Sequence, residues 1–107
     1  GAVIALPVLA PELCLRVYEA ARQADVPLMR ELQARVNDLF QIYLAPGRSA
    51  DSAFLSSQKA ALEVLGLCSR RVCRPFRDAG DAELLRVRAL LERHGLVAAS
   101  AAGQAVA

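Results

Sequence analysis

The chain opens on an unbroken apolar run, Ala2-Val3-Ile4-Ala5-Leu6, closed by Pro7. A short apolar stretch with β-branched positions predicts a fully buried strand of the parallel-sheet kind. A strand must pair its backbone groups with neighbours, so the run also predicts further strands beside it. After Pro7 the pattern turns helical. Pro11 suits a first helical turn, where its missing N–H costs nothing, and Glu12 sits near the positive end of the helix dipole. Leu13, Val17, Ala20 and Ala21 recur at helical spacing, which predicts a helix from Pro11 to about Gln23. Asp25 then offers an N-cap oxygen, with Pro27 just inside a second helix. Leu28, Leu32, Leu39, Phe40 and Tyr43 give that helix one broad apolar face, running to about Leu44 before the turn signal Pro46-Gly47.

The remaining pattern predicts a third helix from about Ser52 to Leu65, with Phe54, Leu55, Ala61, Leu62 and Leu65 on its apolar side and Gly66 as its C-terminal cap. The stretch from Cys68 to Gly80 holds Pro75 and four arginines and reads as an extended connector. A last helix follows from about Asp81 to His94, its stripe being Leu84, Val87, Leu90 and Leu91, with Gly95 ending it. Residues 97–107 are rich in Ala, Ser and Gly without a pattern, as in a frayed tail. The order is strand, three helices, connector, helix, with no internal repeat. The expected fold class is therefore mainly α.

Composition narrows the chemistry. Of 107 residues, 55% are hydrophobic, and the net charge is +2 from 13 basic and 11 acidic residues. That balance is too even for a nucleic-acid footprint, and no apolar run is long enough to cross a membrane. Arg70, Arg71, Arg74 and Arg77 form the one basic cluster. It reads as a solvated connector, with an anion or phosphate site as the sharper alternative. Cys14, Cys68 and Cys73 are odd in number and irregular in spacing. They point to buried, reduced thiols in an intracellular setting, cytoplasmic or alternatively mitochondrial, rather than to a disulfide framework. With His94 on a distant helix, no metal site is expected.

The candidate catalytic residues fare no better. Lys59 is the one lysine, but Glu63 four residues on suggests an ordinary helix ion pair, which opposes nucleophilicity. Tyr18 and Tyr43 read as core residues and His94 as a helix-end group. Cys14 lies beside its helix's apolar stripe and reads as an inert thiol. Ser56-Ser57 lacks a His or acid at a telling spacing, and Glu31 and Glu63 read as solvated helix charges. Pro46-Gly47-Arg48-Ser49 reads as a turn and nothing more. No catalytic, cofactor or metal residue is expected within the chain.

The residues nevertheless carry a resemblance. Gly1-Ala2-Val3-Ile4-Ala5-Leu6 with Leu9-Ala10-Pro11-Glu12-Leu13 resembles the last barrel strand and the start of the last barrel helix in the dihydrodipicolinate synthase / N-acetylneuraminate lyase family, which includes 4-hydroxy-2-oxoglutarate aldolases. Tyr18-Glu19-Ala20-Ala21-Arg22, Arg30-Glu31-Leu32-Gln33 and Gln58-Lys59-Ala60-Ala61-Leu62-Glu63-Val64-Leu65-Gly66-Leu67 resemble later helices of that family. Val72-Cys73-Arg74-Pro75 and Leu90-Leu91-Glu92-Arg93-His94-Gly95-Leu96 resemble its closing segments. The likeness covers residues 1–96 and does not separate the dihydrodipicolinate from the 4-hydroxy-2-oxoglutarate branch.

The resemblance implies the C-terminal segment of a (β/α)8 barrel: residues 1–23 as last strand and helix, 24–96 as a helical extension and 97–107 as a tail. It implies a class I aldolase or lyase whose Schiff-base lysine and proton-shuttling tyrosine lie on earlier strands, upstream of Gly1, so that this piece is structural. No cofactor is implied. The implied partners are the rest of the barrel or like subunits, with a 2-oxo acid substrate only in the parent. The chain departs from the family where Ile4, Ala5 and Val8 stand in place of a small or hydroxyl residue and an Asn, and where Pro7 replaces a small residue. Polar contacts to substrate are thereby lost. An independent helical interaction module is the alternative reading.

Overall fold

The computed structural model describes residues 2–98. Four α-helices are found among them: α1 (Pro11–Arg22), α2 (Val26–Phe40), α3 (Ala50–Val64) and α4 (Asp81–Arg93). Single 3-10 turns lie at Leu6–Val8 and Gln41–Tyr43. The chain forms two compact units, Gly1–Gln41 and Ile42–Ala107. The tail expected over 97–107 lies almost wholly outside the described residues.

The strand expected over Ala2–Leu6 does not form, and no strand is found among the described residues. With no adjacent ladder to accept its backbone groups, the segment turns instead. Val8 N–H donates to Ala5 O at 3.2 Å and Leu9 N–H to Leu6 O at 2.9 Å. Leu6 and Leu9 become buried while Val3, Ile4 and Val8 stay exposed.

In the first unit α1 packs against α2. Their junction is a tight double cap. Ala24 adopts φ +55°, so that Ala24 N–H reaches Ala21 O and Asp25 N–H reaches Ala20 O, both at 3.0 Å. This pair of bonds closes a Schellman-type ending on α1. The Asp25 carboxylate meanwhile accepts from Leu28 N–H at 3.1 Å and starts α2. Leu32 and Leu39 are fully buried as their spacing predicts, each worth about 1.5–3 kcal/mol of transfer free energy. Phe40, expected on the same face, is about half exposed. α2 also ends at Phe40 rather than Leu44, the chain tightening into the Gln41–Tyr43 turn.

In the second unit α3 packs against α4. The buried side of α3 is Ala53, Ser56, Ser57, Ala60 and Ala61; Ala61 is buried as expected, whereas Phe54, Leu55, Leu62 and Leu65 are not. Small residues let two helices approach closely, so the bulkier ones are turned aside. Leu55 is exposed, and Phe54 lies on the Tyr43 ring with centroids 4.8 Å apart. Val87, Leu90 and Leu91 of α4 are buried as predicted. Both helices end on Schellman pairs. Leu67 N–H reaches Leu62 O and Leu96 N–H reaches Leu91 O, each at 2.9 Å, across Gly66 and Gly95 at φ +77° and +69°.

Candidate functional site

One densely bonded side chain is disguised by its sequence context. Arg48, in the Pro46-Gly47-Arg48-Ser49 turn, has a side chain only 7% exposed. Its Nε donates to Glu83 Oε2 and its Nη2 to Glu83 Oε1, both at 2.8 Å. Nη2 also reaches Asp78 O at 2.7 Å. Nη1 reaches Arg77 O at 2.9 Å, Ser56 Oγ at 3.0 Å and Ser52 Oγ at 3.3 Å. Ser56 Oγ in turn donates to Arg77 O at 2.8 Å. One guanidinium thus ties the turn, α3, the connector and α4 together. The hydrogen bond to Glu83 raises the Arg48 pKa, and the same bond holds the Glu83 carboxyl below its ordinary range, against the opposing effect of burial. Glu83 Oε1 also accepts from Gly80 N–H at 3.1 Å, which caps α4. The turn is therefore a structural hub, contrary to expectation. Ser49 adds the N-cap of α3, accepting from Ser52 N–H at 3.4 Å.

The hub fixes the connector, which is looped rather than extended. Phe76 N–H donates to Cys73 O at 3.1 Å, and Val72 N–H donates to Asp78 Oδ1 at 2.9 Å. The resulting loop surrounds an open depression of about 1070 Å³ lined by Arg71, Val72, Arg74, Pro75, Phe76, Arg77 and Asp78. The basic cluster divides here. Arg70 turns away and is neutralised, with Nη2 2.9 Å from Asp81 Oδ1 and Nε 3.4 Å from Glu63 Oε2. Arg71, Arg74 and Arg77 line the depression instead.

The other candidates are dispersed. Glu63 pairs with Arg70, so the expected Lys59–Glu63 pair is not made; Lys59 Nζ lies 3.5 Å from Cys68 Sγ. Tyr43 is buried and donates its hydroxyl to Gln58 Oε1. Tyr18, read as core, is half exposed on α1. His94 is the C-cap of α4. Cys14 is half-buried, and burial pushes its thiol pKa up. Cys68 and Cys73 are exposed, which corrects the expectation of buried thiols: both fall in the loop, where no apolar layer covers them. Glu31 is exposed, and Ser57 is buried on α3 beside the bonded Ser56. Among the described residues no three His, Cys, Asp or Glu side chains converge as a metal site, and no helix is long and apolar enough to cross a membrane.

Over 90 residues, 83% of its length, the chain is 33% identical to a 4-hydroxy-tetrahydrodipicolinate synthase from Cereibacter sphaeroides. The match spans only 29% of that synthase. This supports a relation to the dihydrodipicolinate synthase family. No protein-family profile and no solved structure matches the chain.

Proposed function

We propose that the chain serves as the C-terminal part of a Schiff-base lyase or aldolase acting on a 2-oxo acid, and that its own role is structural. The observation that carries this is the match to a synthase of which the chain spans less than a third. It agrees with the residues quoted above for the last barrel strand, the last barrel helix and the helical extension.

The first unit supports the reading physically. Leu15 and Tyr18, three residues apart on one side of α1, are both more than half exposed. Val3, Ile4 and Val8 are exposed as well. An apolar set of this kind is the expected consequence of removing a barrel that would cover it. In a barrel, Ala2–Leu6 would find the strand neighbours that its β-branched sequence calls for.

Lys59 is a poor imine former, because its amine leans on an exposed cysteine at the end of a structural helix rather than into an apolar pocket. Borohydride trapping with pyruvate, read by intact mass and peptide mapping, tests the proposal. The 107-residue chain should gain no adduct, and a longer polypeptide from the same gene should be labelled on a lysine upstream of Gly1. An adduct on Lys59 would overturn it.

The Arg48 hub favours a second reading for the latter part of the chain, an independent helical interaction module. Its α3–α4 pair is closed by a polar network drawn from its own residues. A monomeric, cooperatively melting chain that does not depend on residues 1–10 would support that reading over the first.

A further inference from the structure

We propose that the loop between α3 and α4 is a binding site for a small phosphomonoester, held by Arg71, Arg74 and Arg77 with its organic body against Val72, Pro75 and Phe76. All six residues line one depression. Three arginines share this lining with a single acidic residue, Asp78, whose Oδ1 is already engaged by Val72 N–H. The local balance is three positive charges against one negative, suited to a dianion.

The contrast with Arg70 sharpens the argument. Arg70 is adjacent in sequence, yet its charge is answered within the protein by Glu63 and Asp81. Among the described residues no ion pair or hydrogen bond engages the guanidinium groups of Arg71, Arg74 or Arg77. Like charges gathered on one short loop repel each other, and an anion relieves that repulsion.

The loop is also preformed. Its carbonyls at Arg77 and Asp78 are held by the buried Arg48, its ends are clasped by the Val72–Asp78 bond, and its tip is closed by the Phe76–Cys73 bond. A ligand therefore meets arginines whose backbone is already ordered, which lowers the entropic cost of binding. Guanidinium favours phosphate through bidentate, charge-assisted hydrogen bonds, and a monocarboxylate offers half the charge. The half-buried Phe76 gives an aromatic body a surface on which to rest.

The test titrates the full chain at low ionic strength with phenyl phosphate, inorganic phosphate and benzoate, followed by calorimetry and by amide chemical shifts. Phenyl phosphate should saturate with a Kd of about 1 mM or below, inorganic phosphate should bind more weakly, and benzoate weakest. Shifts should centre on residues 71–78, and added salt should weaken binding. Arg74→Gln should weaken phenyl phosphate binding by about fivefold to tenfold, and the R71Q/R74Q/R77Q variant should abolish it. Circular dichroism of each variant checks the fold, and the single variant stands alone if the triple one does not fold. Failure to saturate by about 10 mM, equal binding of benzoate and phenyl phosphate, shifts centred elsewhere, or undiminished binding by a folded arginine variant would each overturn the proposal. So would binding confined to phosphatidic acid vesicles, with none to the soluble phosphates.

Discussion

Arg48 and Glu83, 35 residues apart, meet as a two-pronged ion pair with both bonds at 2.8 Å. The pair spans the second unit from the turn before α3 to the first turn of α4, and it does more than match charges. The same guanidinium satisfies two connector carbonyls, and the same carboxylate caps Gly80 N–H. Removing one partner of such a pair strands the other among groups that cannot easily be rehydrated. Arg48→Ala should therefore destabilise the chain by about 3 kcal/mol, the lower end of the range for buried pairs because Glu83 keeps some contact with water. Arg48→Lys should recover only part of this, since an ammonium cannot reproduce the planar fork. Denaturant unfolding of both single variants and the Arg48→Ala/Glu83→Ala double variant measures the coupling. A coupling energy near zero would show the pair to be incidental.

The same pair sets a pH response. Glu83 has a folded pKa below its ordinary value, mainly because of the Arg48 hydrogen bond. Its stabilisation is fully present above the unfolded carboxyl pKa of about 4.3 and is lost as pH falls through the lower folded value. Arg48 is shifted upward, so its contribution persists at every pH below the guanidinium range and adds no acid dependence. Glu83→Gln should be less stable at neutral pH, and it should lose less stability than the parent between pH 5 and about pH 3. Parallel stability curves for the two proteins would contradict this.

How far the sequence could be read depended on whether the deciding signal was local. The α1 start at Pro11, the Asp25 cap, the Gly66 and Gly95 endings and the Val87–Leu90–Leu91 stripe are local, and each was legible from spacing and turn chemistry. Arg48 was not, because its acceptors come from α3, the connector and α4, and nothing adjacent marks an arginine that will be buried. The α3 face was misjudged for a related reason. Bulk is no sign of burial there, because the close partner α4 selects Ala53, Ser56 and Ala60 alongside the expected Ala61. The apolar start Ala2–Leu6 carries a strand's composition without a strand's neighbours, so composition and conformation part there. Of the arginine depression, the basic cluster was visible and its partition was not. Only the fold shows that Arg70 is spent on Glu63 and Asp81.

Ala24 offers a stabilising substitution. It holds φ +55° at the end of α1, a region in which an L residue with a Cβ is strained. Glycine takes the same role without that strain at Gly66. Ala24→Gly should raise stability by about 0.5–1 kcal/mol, the relief of strain exceeding the added freedom of the unfolded chain. Gly66→Ala should lower it by about 1 kcal/mol. Opposite shifts in the unfolding midpoint are the expected result, and a loss in both variants would show that the α1 ending is held by packing rather than by its caps.

The cysteines should separate by reactivity. Cys68 and Cys73 lie exposed near the loop, whereas Cys14 is half-buried on α1 with its thiol pKa raised by burial. Alkylation proceeds through the thiolate, so a raised pKa and reduced access slow Cys14 together. With iodoacetamide at pH 8, mass spectrometry should show two carbamidomethyl groups added before the third, with Cys14 modified last. Under denaturant the three should react at comparable rates. If Cys14 reacted as fast as the others in the native protein, its thiol would have to be more accessible than the structure shows. The exposed Leu15 and Tyr18 on the same helix make this a sensitive place to look, because a covering partner would protect Cys14 further and leave Cys68 and Cys73 unchanged.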